Sequence, residues 1–323
     1  MGATGVLICG HGSRDAEGCR EFAALVERLR AELREWPVEL AYLEFARPIL
    51  REGLEALRSR GVERVLAVPG MLFAAGHVKN DIPSVLHRYA REHGLEIRMG
   101  RELGIDPLLL EAARDRIAEA LAASRRRLGL GDTLLLVVGR GTSDSDANGN
   151  VAKVMRMLWE GMGFAHGEVA YSGVAHPRTD AALARAVRLG LPRIVVFPYF
   201  LFTGVLVRRI YAAADAAAAR HPEVEILKAP YLNDHPHVIR VFAERARGIL
   251  ADDVNMNCLL CKYRVRILGH EDDHGAPQQS HHHHVEGIGT DPEPHHHHHH
   301  HHHHGHAAPV HSPATDGRRA GSG

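Results

Sequence analysis

Residues 130–250 of this chain retrace residues 1–127 at a constant offset, and that repeat limits the fold more than any single motif does. A step of 129 residues carries Gly10 onto Gly139, Gly12 onto Gly141 and Asp15 onto Asp144. The same step carries Tyr42 onto Tyr171, Ala46 onto Ala175, Pro48 onto Pro177 and Pro69 onto Pro198. Leu72 and Phe73 fall on Leu201 and Phe202. After one deletion, an offset of 128 matches Gly76 to Gly204 and Asp106 to Asp234. Glycine and proline punctuate turns, so agreement at so many of them reports a repeated backbone.

Each half reads as alternating strand and helix. Val6–Cys9 is a buried strand, and Phe22, Leu25, Val26 and Leu29 keep helical spacing in a helix from about 16 to 35. Strands are expected over Val38–Phe45, Val62–Pro69 and Glu96–Gly100, with helices over Pro48–Ser59, the end of 70–93, and Asp106–Ser124. Asp106 is the expected N-cap there, with Pro107 in the first turn. The run Val65–Val68 is continuously apolar, as a parallel strand covered on both faces requires. The expected class is α/β: two similar doubly wound parallel-sheet lobes facing a central cleft. Residues 1–127 form the lobe with the metal site and 130–250 the lobe without it, joined by a short linker at Arg125–Gly131. Residues 251–323 are expected to be a largely disordered, flexible His-rich tail with a CxxC motif, because their composition shifts to Asp, His, Gly and Pro.

Ligands of open α/β sheets bind beyond the carboxyl ends of strands. His11 follows the first strand in Gly10-His11-Gly12-Ser13-Arg14, Glu44 closes the second, and His77 lies just beyond the third. Two imidazoles and a carboxylate suit a divalent first-row metal such as cobalt, nickel, iron or zinc. Their counterparts in the second half are Arg140, Gly173 and Val205, none of them a ligand. A single histidine beside a glycine is more often a turn residue. Three residues at strand ends that vanish together, while the scaffold positions around them persist, point to a metal site kept in one half.

The 39 basic residues balance 39 acidic ones, which gives no electrostatic case for nucleic acid or an anionic membrane. With no secretory pattern and no apolar run of about 18 residues, the expectation is a soluble cytoplasmic protein. No G-x-G-x-x-G follows either first strand, which argues against a dinucleotide enzyme. Of the four cysteines, Cys9 lies in a strand and Cys19 in a helix, while Cys258 and Cys261 form a CxxC with metal-binding spacing. An iron–sulfur cluster takes four cysteines, so a cluster here would bridge two chains and imply a homodimer; a zinc or redox dithiol is the alternative. Of 27 histidines, 18 lie between His270 and His311, including His281–His284 and the run His295–His304. That run is internal and follows a separate block, which sets it apart from a terminal tag. It reads as a store or delivery arm for cobalt or nickel.

Taken together, the Gly-His-Gly-Ser-Arg turn, the Leu43-Glu44-Phe45 strand end and the segment Pro69-Gly70-Met71-Leu72-Phe73-Ala74-Ala75-Gly76-His77-Val78-Lys79-Asn80-Asp81-Ile82-Pro83 resemble the sirohydrochlorin cobaltochelatases of anaerobic cobalamin synthesis. These are ATP-independent class II chelatases, lyases of porphyrin and cobalamin biosynthesis, related to the sirohydrochlorin and protohaem ferrochelatases. The resemblance spans about residues 4–250, and the long form of the family shares the His-rich tail and the Met-x-Cys-x-x-Cys iron–sulfur motif. It implies sirohydrochlorin and Co2+ as substrates, with His11 and His77 as metal-binding and catalytic residues and Glu44 as their acidic partner. Arg14, Arg47, Lys79, Arg140, Arg208 and Arg209 are candidates to pair with the substrate's carboxylates, since guanidinium forks match them. Iron or nickel insertion, and a non-enzymatic cobalt or nickel store, are the rival readings.

Overall fold

A computed structural model describes residues 2–254, 263, 266–275 and 286–290. The first half runs β1 (Ala3–Gly10), α1 (Ala16–Glu32), β2 (Val38–Tyr42), α2 (Leu50–Ser59), β3 (Val62–Pro69), a π-helical turn (His77–Asp81), α3 (Ile82–His93), β4 (Glu96–Met99) and α4 (Pro107–Ala122). The second half repeats the order with β5 (Thr133–Gly139), α5 (Ser145–Met162), β6 (His166–Tyr171), α6 (Thr179–Arg188), β7 (Arg193–Pro198), α7 (Val205–Arg220), β8 (Glu225–Lys228) and α8 (Pro236–Leu250). Two four-stranded sheets result, ordered β2-β1-β3-β4 and β6-β5-β7-β8, with all pairings parallel. Capping follows the sequence: Asp15 accepts from Glu17 N–H at 3.0 Å at the start of α1, and Asp106 accepts from Leu108 N–H at 2.9 Å at the start of α4.

The period-two alternation of the strands divides the core into three layers. Leu7 and Cys9 of β1 join Val65 and Ala67 of β3 under α2 and α3, forming the outer core of the first lobe. Leu134, Leu136 and Val138 do the same under α6 and α7 in the second. The opposite faces, Val6 and Ile8 in one sheet and Val137 and Phe197 in the other, belong to a single central cluster.

That cluster is continuous because the halves exchange their last helices. α4 packs on α5, β7 and β8, whereas α8 packs on α1 and β3. Both helices are amphipathic, and nothing in a periodic pattern says which sheet will receive an apolar face. Arg245 of α8, buried, seals the exchange by donating to Glu102 O, Leu103 O and Asp106 Oδ2 of the first half. The chain order therefore separates the halves at 127–130, but the packing interlocks them, and the strand ends of both sheets face one cleft.

Candidate metal centre

The first lobe's strand ends are shaped by one close approach. The chain leaves β1 through Gly12, at φ +93°, where a Cβ would stand 1.6 Å from Glu44 O. Only glycine fits. Leu43 N–H donates to Gly10 O at 2.9 Å and Glu44 N–H to His11 O at 3.0 Å, so pairing continues past the end of β2 and places Glu44 in the following turn. Phe45 then adopts φ 63°, a left-handed conformation that costs a non-glycine residue about 1–3 kcal/mol. The second lobe makes the same corner: Gly141 stands at φ +81°, where a Cβ would lie 1.9 Å from Gly173 O. Gly173 N–H donates to Arg140 O at 2.9 Å, and Val174 takes φ 52°. The backbone is repeated and the side chains on it are not.

His77 reaches the same place from the opposite side. It opens the π-helical turn, a widening of the helix that recurs at functional sites. Its Nδ1 lies 2.7 Å from Oδ2 of Asp81, a buried carboxylate one turn on. His11 Nδ1 lies 2.9 Å from Gly12 O. Both partners are acceptors, so the hydrogen of each neutral ring is assigned to Nδ1 and the Nε2 lone pairs face inward. His11 Nε2 stands 3.2 Å and His77 Nε2 3.9 Å from Glu44 Oε1, with the rings edge-on at 4.7 Å between centroids. One ligand atom from each of the three residues lies within 4.8 Å of the others. Two nitrogen lone pairs and a carboxylate oxygen converging on one point repel each other unless a cation or proton sits among them. Such a set can bind a divalent metal or accept protons.

The electrostatics disfavour a proton on His11. Burial, then the Arg140 guanidinium and His77, lower its imidazole from the usual 6.5 to about 4. The ring is therefore neutral and a competent ligand near neutral pH. Arg140 stands 3.5 Å from His11 Nε2, and its own pKa is pulled down by burial against the opposing pull of Glu44. Around the triad lies a cavity of about 470 Å3, with His11, His77, Arg14 and Arg140 among its polar lining and Phe45, Leu72, Phe73, Phe202 and Val205 among its apolar walls. The site thus joins a metal set to an apolar slot with basic residues at its edge.

The CbiX family model matches residues 5–120 and again residues 134–249, once per lobe. The chain belongs to the CbiX family. A sirohydrochlorin cobaltochelatase from Priestia megaterium is 35% identical over 275 residues, covering 83% of this chain and 87% of its own length. A sirohydrochlorin ferrochelatase from the same organism is 28% identical over 251 residues, covering 77% and 92%. Among solved structures, SirB from Bacillus subtilis with Fe3+ superposes with a TM-score of 0.66 at 27% identity over 77% of this chain and 96% of that one. The sirohydrochlorin chelatase SirB from the spizizenii subspecies, in complex with cobalt, does so at 0.65 with the same identity and coverage.

Not every basic residue singled out in this CbiX-family chain reaches the cleft. Arg14 does: it is exposed, with its guanidinium 4.8 Å from the centroid of the Phe45 ring. Lys79 does not. Its side chain is buried, with Nζ 2.7 Å from Asp144 Oδ2 and 3.5 Å from Asp146 Oδ2, so it ties the π-turn to the N-cap of α5 in the other lobe. Its motif offers Lys79 as a partner for substrate carboxylates; its burial depends on Asp144, 65 residues away, which local sequence does not reveal. Arg208 pairs reciprocally with Asp15, the N-cap of α1. Arg47 pairs with Glu52 and Arg209 donates to Ser172 O at 3.4 Å. Asp81 is not among the residues the motifs single out, although its i,i+4 spacing from His77 within a helical stretch is an available signal. Cys258, Cys261 and the histidine blocks at 281–284 and 295–304 lie outside the described residues. Among the described residues, no helix is long and apolar enough to cross a membrane.

Proposed function

We propose that this chain inserts Co2+ into sirohydrochlorin without ATP, as a lyase of cobalamin biosynthesis. The observation that carries the reading is the convergence of His11 Nε2, His77 Nε2 and Glu44 Oε1 at the edge of an apolar cavity. Insertion replaces two pyrrole N–H protons by one divalent ion, so the enzyme must both deliver a cation and receive protons. His11 and His77 hold the ion by Nε2, with Glu44 completing the set. As the ion moves to the four ring nitrogens, the vacated Glu44 carboxylate and a histidine Nε2 take the two protons, which then leave to solvent through the open side of the cleft. The hydrogen bonds at Nδ1 keep both rings aimed during this exchange. The apolar walls suit the face of the macrocycle, and Arg14 and Arg140 suit its carboxylates.

Cobalt is favoured because the cobaltochelatase relative is the more similar of the two compared, at 35% against 28% identity. Iron is the second reading, since a ferrochelatase relative covers most of the chain and SirB is known with Fe3+. Anaerobic mixing of sirohydrochlorin with Co2+, Fe2+ or Ni2+, followed by absorbance without ATP, separates these. Fastest acceleration by cobalt over the protein-free control is expected. A lead for iron would change the pathway, and acceleration with none of the metals would overturn the chelatase reading.

A further inference from the structure

Within the stretch read as a tail, residues 286–290 fold back onto the corner that carries Glu44. Gly287 N–H donates to Leu43 O at 2.9 Å, and Phe45 N–H donates to Ile288 O at 2.6 Å. These two bonds bracket Glu44. Ile288 packs against the outer core of the first lobe, and Glu286 Oε1 accepts from Arg51 N–H at 3.2 Å in the first turn of α2, where a carboxylate suits the helix dipole. The segment is built for a tight turn: Gly287 and Gly289 have φ of 80° and 74°, and Thr290 N–H closes on Gly287 O at 3.0 Å. A Cβ on Gly289 would stand 2.8 Å from Phe45 Cδ1, so the turn lies directly on that ring.

The sister corner shows what the strap adds. Val174, the counterpart of Phe45, is 63% exposed and takes the same left-handed conformation. That corner carries Gly173 in place of Glu44 and has no ligand to aim. In the first lobe a non-glycine residue in an unfavoured conformation must hold a metal-binding carboxylate in register with two imidazoles. The strap fixes the peptide groups on both sides of it.

We infer that residues 286–290 are a positioning strap for Glu44, coupling the C-terminal region to the metal affinity of the site. The inference rests on the proposed role of the triad. Residues 286–290 are not part of the cavity's lining; the strap acts through the backbone of residues 43–45. Loosening it frees the carboxylate to leave the two histidines, and supports of this kind change metal affinity by about 10–100-fold.

Full-length parent, Ile288→Asp, Gly289→Val and the conservative Ile288→Leu would be compared in two ways. Amide hydrogen exchange, measured without metal, is expected to quicken over residues 42–47 in the Asp and Val variants and to stay at parental level over the equivalent residues 171–176. Initial rates at buffered free Co2+ are expected to show, for Ile288→Asp, KM for Co2+ raised about tenfold and KM for sirohydrochlorin within about twofold of parent, with near-parental values for Ile288→Leu; Gly289→Val, which presses on the cavity-lining Phe45 ring, is compared by exchange alone. Unchanged exchange at 42–47, or equal rises in both KM values, would overturn the strap. If the parent itself inserts no metal, the chelatase reading fails, and the exchange comparison still decides whether the strap holds the corner.

Discussion

At the end of β1 a tight glycine turn presents His11; at the end of β5 the same turn presents Arg140. Glu44 faces Gly173 across the repeat, and His77 faces Val205. Both lobes keep the left-handed corner residue, the close glycine approach and an N-cap aspartate bridged to the other lobe. What differs is chemistry. One lobe supplies ligands, while the other supplies a guanidinium that sits 3.5 Å from His11 and helps keep that ring neutral. On the proposed function, the repeated scaffold divides into a lobe that holds the metal and a lobe that tunes the site and walls the cleft.

That division can be tested position by position. The largest expected effect is at the ligands: His77→Ala should slow Co2+ insertion by about 10²–10⁴-fold, whereas Val205→Ala at the sister position should change it by less than about twofold. Steady-state rates with both variants check this, and equal losses would erase the distinction between lobes. Next comes Asp81→Asn, which keeps the shape but removes the charge behind His77. Competition titration with a metal indicator should show Co2+ affinity at the triad reduced about tenfold or more, with the melting temperature little changed.

The two close-approach glycines separate folding from chemistry. Gly12→Ala and Gly141→Ala should each destabilise the protein by about 1–3 kcal/mol in urea unfolding, because each forces a Cβ into a backbone oxygen at positive φ. Only Gly12→Ala should also weaken metal binding, since only its corner aims a ligand. The smallest effect is at Arg140. Arg140→Gln removes a cation beside His11, so the imidazole protonates more readily and its pKa should rise from about 4 toward the usual 6.5. The folded-state value starts below the unfolded one, so this group's protonation weakens the parent's stability as pH falls from about 6.5 to about 4; the variant should lose less over that window. An NMR titration of the His11 ring reports the shift directly.

Strand and helix order, the Asp106 cap and the convergence of His11, Glu44 and His77 are legible because each depends on local pattern or on comparison between the halves. The two sheets follow from apolar runs such as Val6–Cys9, which leave no polar face for solvent. The exchange of α4 and α8 was not legible: both are amphipathic, and either sheet offers a face to cover. Lys79 is offered by its motif as a partner for substrate carboxylates, but its buried pairing with Asp144 is a long-range contact that no local signal marks. Residues 286–290 carry one isoleucine between two glycines, too little for periodicity, and dock through backbone bonds that a sequence does not display. Asp81 was readable in principle, at one helical turn from His77.

On the proposed function, His11, Glu44 and His77, and not the shared scaffold, make this chain a chelatase. One variant tests it most directly: His11→Arg, Glu44→Gly and His77→Val together, giving the first lobe the residues that the second already carries on the same backbone. The expected result is a protein that melts within about 3 °C of the parent, roughly 1 kcal/mol for a chain of this size, and inserts Co2+ into sirohydrochlorin no faster than the protein-free control. A folded triple variant that keeps the parental insertion rate would contradict the claim.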